Sequence, residues 1–175
     1  MSPGVERPAA VLIEVAATVE VPFEVARARL LEHREAIVAG ALGAAPKDTD
    51  PALTGRVGPF GPAGPGAQPV WAEVLGSQDL GDRVVLGLRW RPARAPQVLP
   101  SLEAEVVLAS LGVASSELRL CGAYHPPGGS LGRSLDRLGL HRVGERTLRA
   151  VVRGMARGIQ AMDPPVAQQS LVPCP

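Results

Sequence analysis

HPPGGSLGRSLDR, residues 125–137, is the stretch whose residue types and spacing most resemble working chemistry. Glycines just ahead of a helix can cradle a phosphate, because unpaired backbone N–H groups and the helix dipole converge there. A phosphate loop of that kind needs G-x-x-x-x-G-K-[ST], with the lysine reaching the phosphates. Between Gly128 and Gly132 there are only three residues, and Arg133 stands where the lysine should be. The stretch therefore predicts a hinge, where a strand ends and a helix begins.

Other groupings fare no better as catalytic centres. Ser134, Asp136 and His141 could spell a hydrolase triad, but on one helix Ser134 and His141 would stand about 10 Å apart along the axis, with Asp136 pointing elsewhere. His141 and Glu145 are spaced i, i+4, yet two ligands without a third make a poor metal site, and a helix-surface ion pair is the simpler reading. No metal site and no cofactor are expected. His33 reads as a helix-end residue and His125, beside Pro126, as a solvated rim position. Cys121 and Cys174 lie far apart and give neither a disulfide framework nor a zinc spacing.

Arg142, Arg146, Arg149, Arg153 and Arg157 form a stripe that could meet an anionic partner. No aromatic residue interleaves with it, and stacking platforms are what single-stranded RNA readers use. A solvated helix face is preferred, and nucleic acid is not expected as a partner. The formal net charge of +1 agrees, since it calls for neither nucleic acid nor an acidic substrate. Nothing here sets the oligomeric state.

The elements that must position these residues follow from pattern. The 175 residues, 46% hydrophobic and 20% charged, suit one globular domain, and aromatics at 3% leave the core to Leu, Val, Ile and Ala. The N-terminus lacks a secretory signal and no apolar window is long enough to span a bilayer, so a cytoplasmic location is expected. Residues 10–21 alternate as a half-buried strand until Pro22, which with Glu24 suits a helix start. A short helix to about His33 and a second over Arg34–Leu42 follow. Residues 43–69 are rich in Gly and Pro and read as loop, with a short strand near Leu53–Val57.

Strands are expected at Val70–Leu75, Asp82–Arg91, Ser101–Ser110 and Ser115–His125, then a helix from Ser130 to about Met162, stopped by Asp163-Pro164-Pro165. Residues 1–9 and 163–175 read as flexible ends around a single domain over 10–162. Runs of strands with segregated helices make an α+β fold. The last helix is the element long enough to cover the sheet.

Parity then assigns faces. The inward set is Val84, Leu86, Leu88 and Trp90; Leu102, Ala104, Val106 and Leu108; and Leu118, Leu120, Gly122 and Tyr124. Outside, Arg89 and Arg91 should lie across from Glu103 and Glu105. On the last helix Leu148, Val151, Val152, Met155, Ile159 and Met162 share a face, with Gly154 and Gly158 at its border. These glycines mean either close packing against the sheet or room for a ligand. Leu131, Leu135 and Leu138 fall about a quarter-turn from that face, which predicts a bend or break near Gly139 or Gly144, or a first segment packed elsewhere.

An opening VLIEVAATVEVPFEVARARL, paired strands ending in CGAYHPPGGSLGRSLDRLGLHRVGERTLRAVV, and a terminal amphipathic helix resemble the START-like helix-grip superfamily, also called SRPBCC. The resemblance covers residues 10–162 in element order, and the stretch from Tyr124 to Thr147 looks like that of many bacterial members. That group includes polyketide cyclases and aromatases, lipid-transfer domains, coenzyme Q-binding proteins and birch-pollen allergens. The resemblance implies a curved antiparallel sheet wrapped around a long C-terminal helix, with two short helices after the first strand and often an apolar cavity between sheet and helix. It does not fix a reaction.

Within that frame the inward face points to non-catalytic binding of a hydrophobic small molecule, lipid or polyketide-like. Its lining would be Val84, Leu86, Leu88, Trp90, Val106, Leu108, Leu118, Leu120, Tyr124, Val151, Met155 and Ile159. A filled core fits the same residues equally well. Two alternatives stand beside it. One is a cyclase- or aromatase-like enzyme, for which Tyr124 is the candidate catalytic residue. The other is an interaction module using the arginine stripe.

Overall fold

The computed structural model describes residues 11–44, 52–94, 101–125 and 137–162, the side chains of 11, 52, 124, 125 and 137–141 excepted. The stretch from Pro126 to Asp136 expected to form the hinge, with Ser134 and Leu131, lies outside them, as do residues 1–9 and 163–175, expected to be flexible ends. Strand β1, Val11–Val19, buries Ile13, Val15 and Val19 and exposes Leu12, Glu14, Ala16 and Thr18, the alternation of a sheet with one face covered. Pro22 stops it and caps the next helix: its carbonyl accepts from the N–H groups of Val25 and Ala26 at 3.1 and 3.0 Å. Helix α1, Phe23–Ala41, is two helical segments joined at His33, whose φ of −123° and ψ of 25° are not helical. The pair of short helices expected from the sequence, with His33 between them, is present.

Five further strands follow: β2, Ala52–Val57; β3, Gln68–Asp79; β4, Arg83–Pro92; β5, Ser101–Ser110; and β6, Ser116–His125. They form one antiparallel sheet in the order β1-β6-β5-β4-β3-β2. Between β2 and β3 the Gly/Pro-rich chain makes successive turns, with Gly61, Gly64 and Ala67 each donating to the carbonyl three residues earlier. Helix α2, Arg137–Ala161, closes the fold.

β3 is longer than its expected Val70–Leu75, because a bulge between Val74 and Gly76 interrupts the alternation without ending the strand. Gly76 takes a φ of +129° there, a region closed to residues with a Cβ. Beyond the bulge Ser77 lies opposite Leu86 and Asp79 opposite Val84, so the faces are exchanged and Asp79 joins the side on which α1 lies. There Arg27 of α1 grips it, Nη2 to Oδ2 at 2.6 Å and Nε to Oδ1 at 3.1 Å.

Two expectations are corrected. α2 runs without interruption through Gly139 and Gly144, so neither breaks the helix. The quarter-turn mismatch concerns Leu131 and Leu135, outside the described residues, and Leu138, whose side chain is. Cover of the sheet is also shared: α2 packs mainly on α1 and β1, less on β6, while α1 reaches β5 and β3. Gly154 and Gly158 accordingly face α1 and not the sheet. A Cβ on Gly154 would stand 3.0 Å from the Ala41 Cα, whereas one on Gly158 would make ordinary contact with Ile37 at 3.6 Å. The close-packing explanation holds at Gly154, with a helix as the neighbour.

Candidate functional site

The inward residues assemble as their parity requires. Val84, Leu86, Leu88 and Trp90 of β4, Leu102, Ala104, Val106 and Leu108 of β5, and Leu118 and Leu120 of β6 are all buried. Leu148, Val151, Val152, Met155 and Ile159 of α2 are buried with them, and Met162 is packed at their edge. Burying each such side chain contributes roughly 1.5–3 kcal/mol, so this interface is the main source of stability as well as the candidate ligand wall. Most of these side chains are at 0% exposure, Trp90 at 2% and Val151 at 3%, so they press on one another through the middle of the sheet.

The polar chemistry gathers at one rim. In register, Leu53, Ala72, Trp90, Leu102, Tyr124 and Val11 form a single row across all six strands. Tyr124 thus stands two strands from Trp90 on the backbone, and its side chain is outside the described residues. The Nε1–H of Trp90 is buried and finds no acceptor among the described residues. An unmet donor of this kind costs about 1–3 kcal/mol. Beside it the β4–β5 ladder ends at Trp90 and Leu102, although β3–β4 continues to Val70 and Pro92 and β5–β6 to Ser101 and His125. A hollow of about 180 Å³ lies at this parting of the strands, lined by Arg89, Trp90, Arg91, Ser101, Leu102 and Glu103.

Charges on the outer face pair differently from the sequence expectation. Arg89 does lie opposite Glu103, but its guanidinium donates to Glu73 of β3 at 2.6 Å, and that bond holds it more firmly protonated than a free arginine. Arg91 faces Trp71, and Glu105 faces Gly87. Arg119 is held in the same way by Glu117 and Glu14. Cys121 lies on this face, and burial, then the neighbouring Glu14 carboxylate, pushes its thiol pKa up. The thiol is poorly disposed to act as a nucleophile at neutral pH.

Arg29 was not singled out by its sequence position. It sits among Ala26 and Leu30 on the buried side of α1, 7% exposed, and its Nη1 donates to the carbonyl of Ile159 at 2.9 Å. A longer contact of 3.4 Å reaches the Gln160 carbonyl. A cation at a helix C-terminus answers both the unpaired carbonyls and the negative end of the dipole. An arginine inside an apolar turn was the available signal; the carbonyls it meets lie at the far end of the chain.

The remaining candidates are dispersed. Glu145 pairs with Arg149, and the side chain of His141, its other expected partner, lies outside the described residues. Arg142, Arg146, Arg153 and Arg157 are exposed, and no described carboxylate pairs with them. His33 stands at the break in α1, half-exposed, 3.8 Å from Glu32. No described helix is long and apolar enough to cross a membrane.

No protein-family model matches the sequence. No curated protein matches it either. Solved structures do. The chain is similar to the Zhui aromatase/cyclase from Streptomyces sp. R1128, at 14% identity and a TM-score of 0.53, over 87% of this chain and 94% of that one. It is similar to Ara h 8.0201 at 9% identity and a TM-score of 0.53, over 88% of this chain and all of that one, 100%. The di-domain ARO/CYC BexL from the BE-7585A biosynthetic pathway matches at 13% identity and a TM-score of 0.52, over 86% of this chain and 46% of that one. With an open six-stranded antiparallel sheet closed by a C-terminal helix among the described residues, the chain has a helix-grip fold like that of these structures.

Proposed function

We propose that the protein binds a hydrophobic small molecule, lipid or polyketide-like, between the sheet and α2, without transforming it. The observation that carries this reading is the unbroken apolar inner surface of β4, β5 and β6, which shares one buried core with the apolar residues of α1 and α2. The described inward positions of β4, β5 and β6 carry no ionisable side chain, which suits retention of an apolar molecule better than acid–base chemistry. Likeness to two aromatase/cyclases adds support at the level of fold. Because the middle of the interface is tightly packed, entry would begin at the Trp90 row, where β4 and β5 part, and proceed by displacement of neighbouring side chains.

Native mass spectrometry of freshly purified protein, with solvent extraction, tests the reading. A co-purifying apolar molecule, or saturable uptake of N-phenyl-1-naphthylamine at one per chain, is the expected result. Repeated absence of both would sink it. The cyclase- or aromatase-like alternative rests on Tyr124, which shares the row of Trp90. A Tyr124→Phe variant that kept any demonstrated activity unchanged would remove that role from the hydroxyl.

A further inference from the structure

We infer that the arginine face of α2 is a docking surface for a bilayer that carries anionic lipid. It concerns a surface and not the interior, so it stands whichever molecule the grip holds. Two observations meet on this helix. At 100° per residue Arg142, Arg146, Arg149, Arg153 and Arg157 fall within an arc of about 80°, in a straight row about 22 Å long. Arg142, Arg146, Arg153 and Arg157 are exposed, and no described carboxylate pairs with them; Glu145 engages Arg149, at the margin of the row. The second observation is how charge is placed in the whole molecule. α2 holds six arginines and one glutamate, yet the formal net charge of the chain is +1, so the rest of the chain is net acidic. Three of its carboxylates, Glu14, Glu103 and Glu105, are exposed on the outer face of the sheet, the side away from the helices.

The geometry selects the partner. The row lies on the far side of α2 from Leu148 and Met155, which are buried in the core, so it faces away from the sheet. With basic charge on one side and acidic charge on the other, a negative surface turns the molecule helix first. A bilayer offers a plane of anionic headgroups, and a straight row on a helix can lay all five guanidinium groups on a plane together. A nucleic-acid duplex presents its phosphates on curved rails either side of a groove, which a straight row of this length meets only in part. Single strands find no stacking platform, since no Phe, Tyr or Trp lies on α2. The arc holds no apolar side chain among the described residues, so attachment is electrostatic and reversible, without insertion. Each cation held near an anionic surface raises binding about fivefold.

Flotation with phosphatidylcholine vesicles carrying about 30% phosphatidylserine, beside vesicles of phosphatidylcholine alone, tests this. The full chain should bind the anionic vesicles at low ionic strength, lose most of that binding as salt rises past about 0.15 M, and ignore the neutral ones. Arg146→Gln/Arg153→Gln should weaken the binding about 25-fold. Both side chains are exposed, so the fold should be kept, which circular dichroism verifies. Arg83→Gln/Arg91→Gln removes the same charge from exposed outer-face positions of β4 and should leave binding nearly unchanged. Absence of binding to the anionic vesicles, equal binding to the neutral ones, or an equal loss in the two double variants would overturn the docking surface. Tighter binding to a DNA duplex at the same phosphate concentration would overturn it too and reassign the row to nucleic acid. None of these outcomes bears on uptake of N-phenyl-1-naphthylamine, so surface and interior are judged separately.

Discussion

At the scale of single residues, the two glycines of α2 separate packing from propensity. Both cost helix stability relative to alanine, by about 1 kcal/mol each. Gly158 has room for a methyl group against Ile37, so Gly158→Ala should raise the unfolding midpoint by a few degrees. Gly154 faces the Ala41 backbone at 3.0 Å, so Gly154→Ala should gain nothing or lose stability, because two helix backbones would have to separate. Thermal unfolding followed by circular dichroism checks both; equal gains would mean that the helix contact gives way freely. Cys121 allows a second check. Burial and Glu14 raise its pKa, so alkylation by iodoacetamide in a Cys174→Ser background should reach half its maximal rate above pH 9.0, the ordinary value for the thiol. A half-maximal rate below that pH would contradict the shielding.

At the scale of elements, Arg27 and Asp79 tie the start of α1 to the β3–β4 hairpin. Asp79 accepts from Arg27 and from the Gly81 N–H, and these bonds lower its pKa below the ordinary 3.8. A carboxylate with a depressed folded pKa stabilises the fold above its unfolded value, and that contribution is lost as the pH falls further. Asp79→Asn should therefore lower the unfolding midpoint at pH 7, and the gap between variant and parent should close below about pH 4. A gap that persisted unchanged at pH 3 would assign the effect to something other than the ion pair. The sequence made half of this region legible. Period-two alternation placed Val84, Leu86, Leu88 and Trp90 inward because strand geometry is local. It also closed β3 at Leu75, where the alternation lapses, since a bulge and a strand end look alike until the partner strand is known. Arg27, Asp79 and Arg29 could not be paired from the sequence, because their partners are set by topology. The break in α1 at His33 was legible, and the parting of β4 from β5 was not.

For the whole molecule, the grip is both core and candidate binding site, and those two roles pull in opposite directions. Leu120 is fully buried on β6 beneath the helices. Leu120→Ala should cost about 2–5 kcal/mol in denaturant unfolding, because the space left behind collapses only in part. If apolar molecules enter this interior, the same variant should take up N-phenyl-1-naphthylamine more tightly than the parent despite its lower stability. A loss of stability without any gain in uptake would locate binding away from Leu120.

The strand order carries one more consequence, in the history of the chain and not in its final state. β2 through β6 pair as consecutive neighbours, so each can zip onto the last as it leaves the ribosome. β1 is made first but pairs with β6, with Val11 opposite Tyr124, and nearly all of the domain must be synthesised in between. Until then Ile13, Val15 and Val19 have no sheet to join, and α2, which packs on β1, is made later still. Long-range pairing of this kind slows folding and prolongs the exposure of apolar strands. The oldest strand is thus the last to be sealed, and β1 is the segment most in need of protection in the newborn chain.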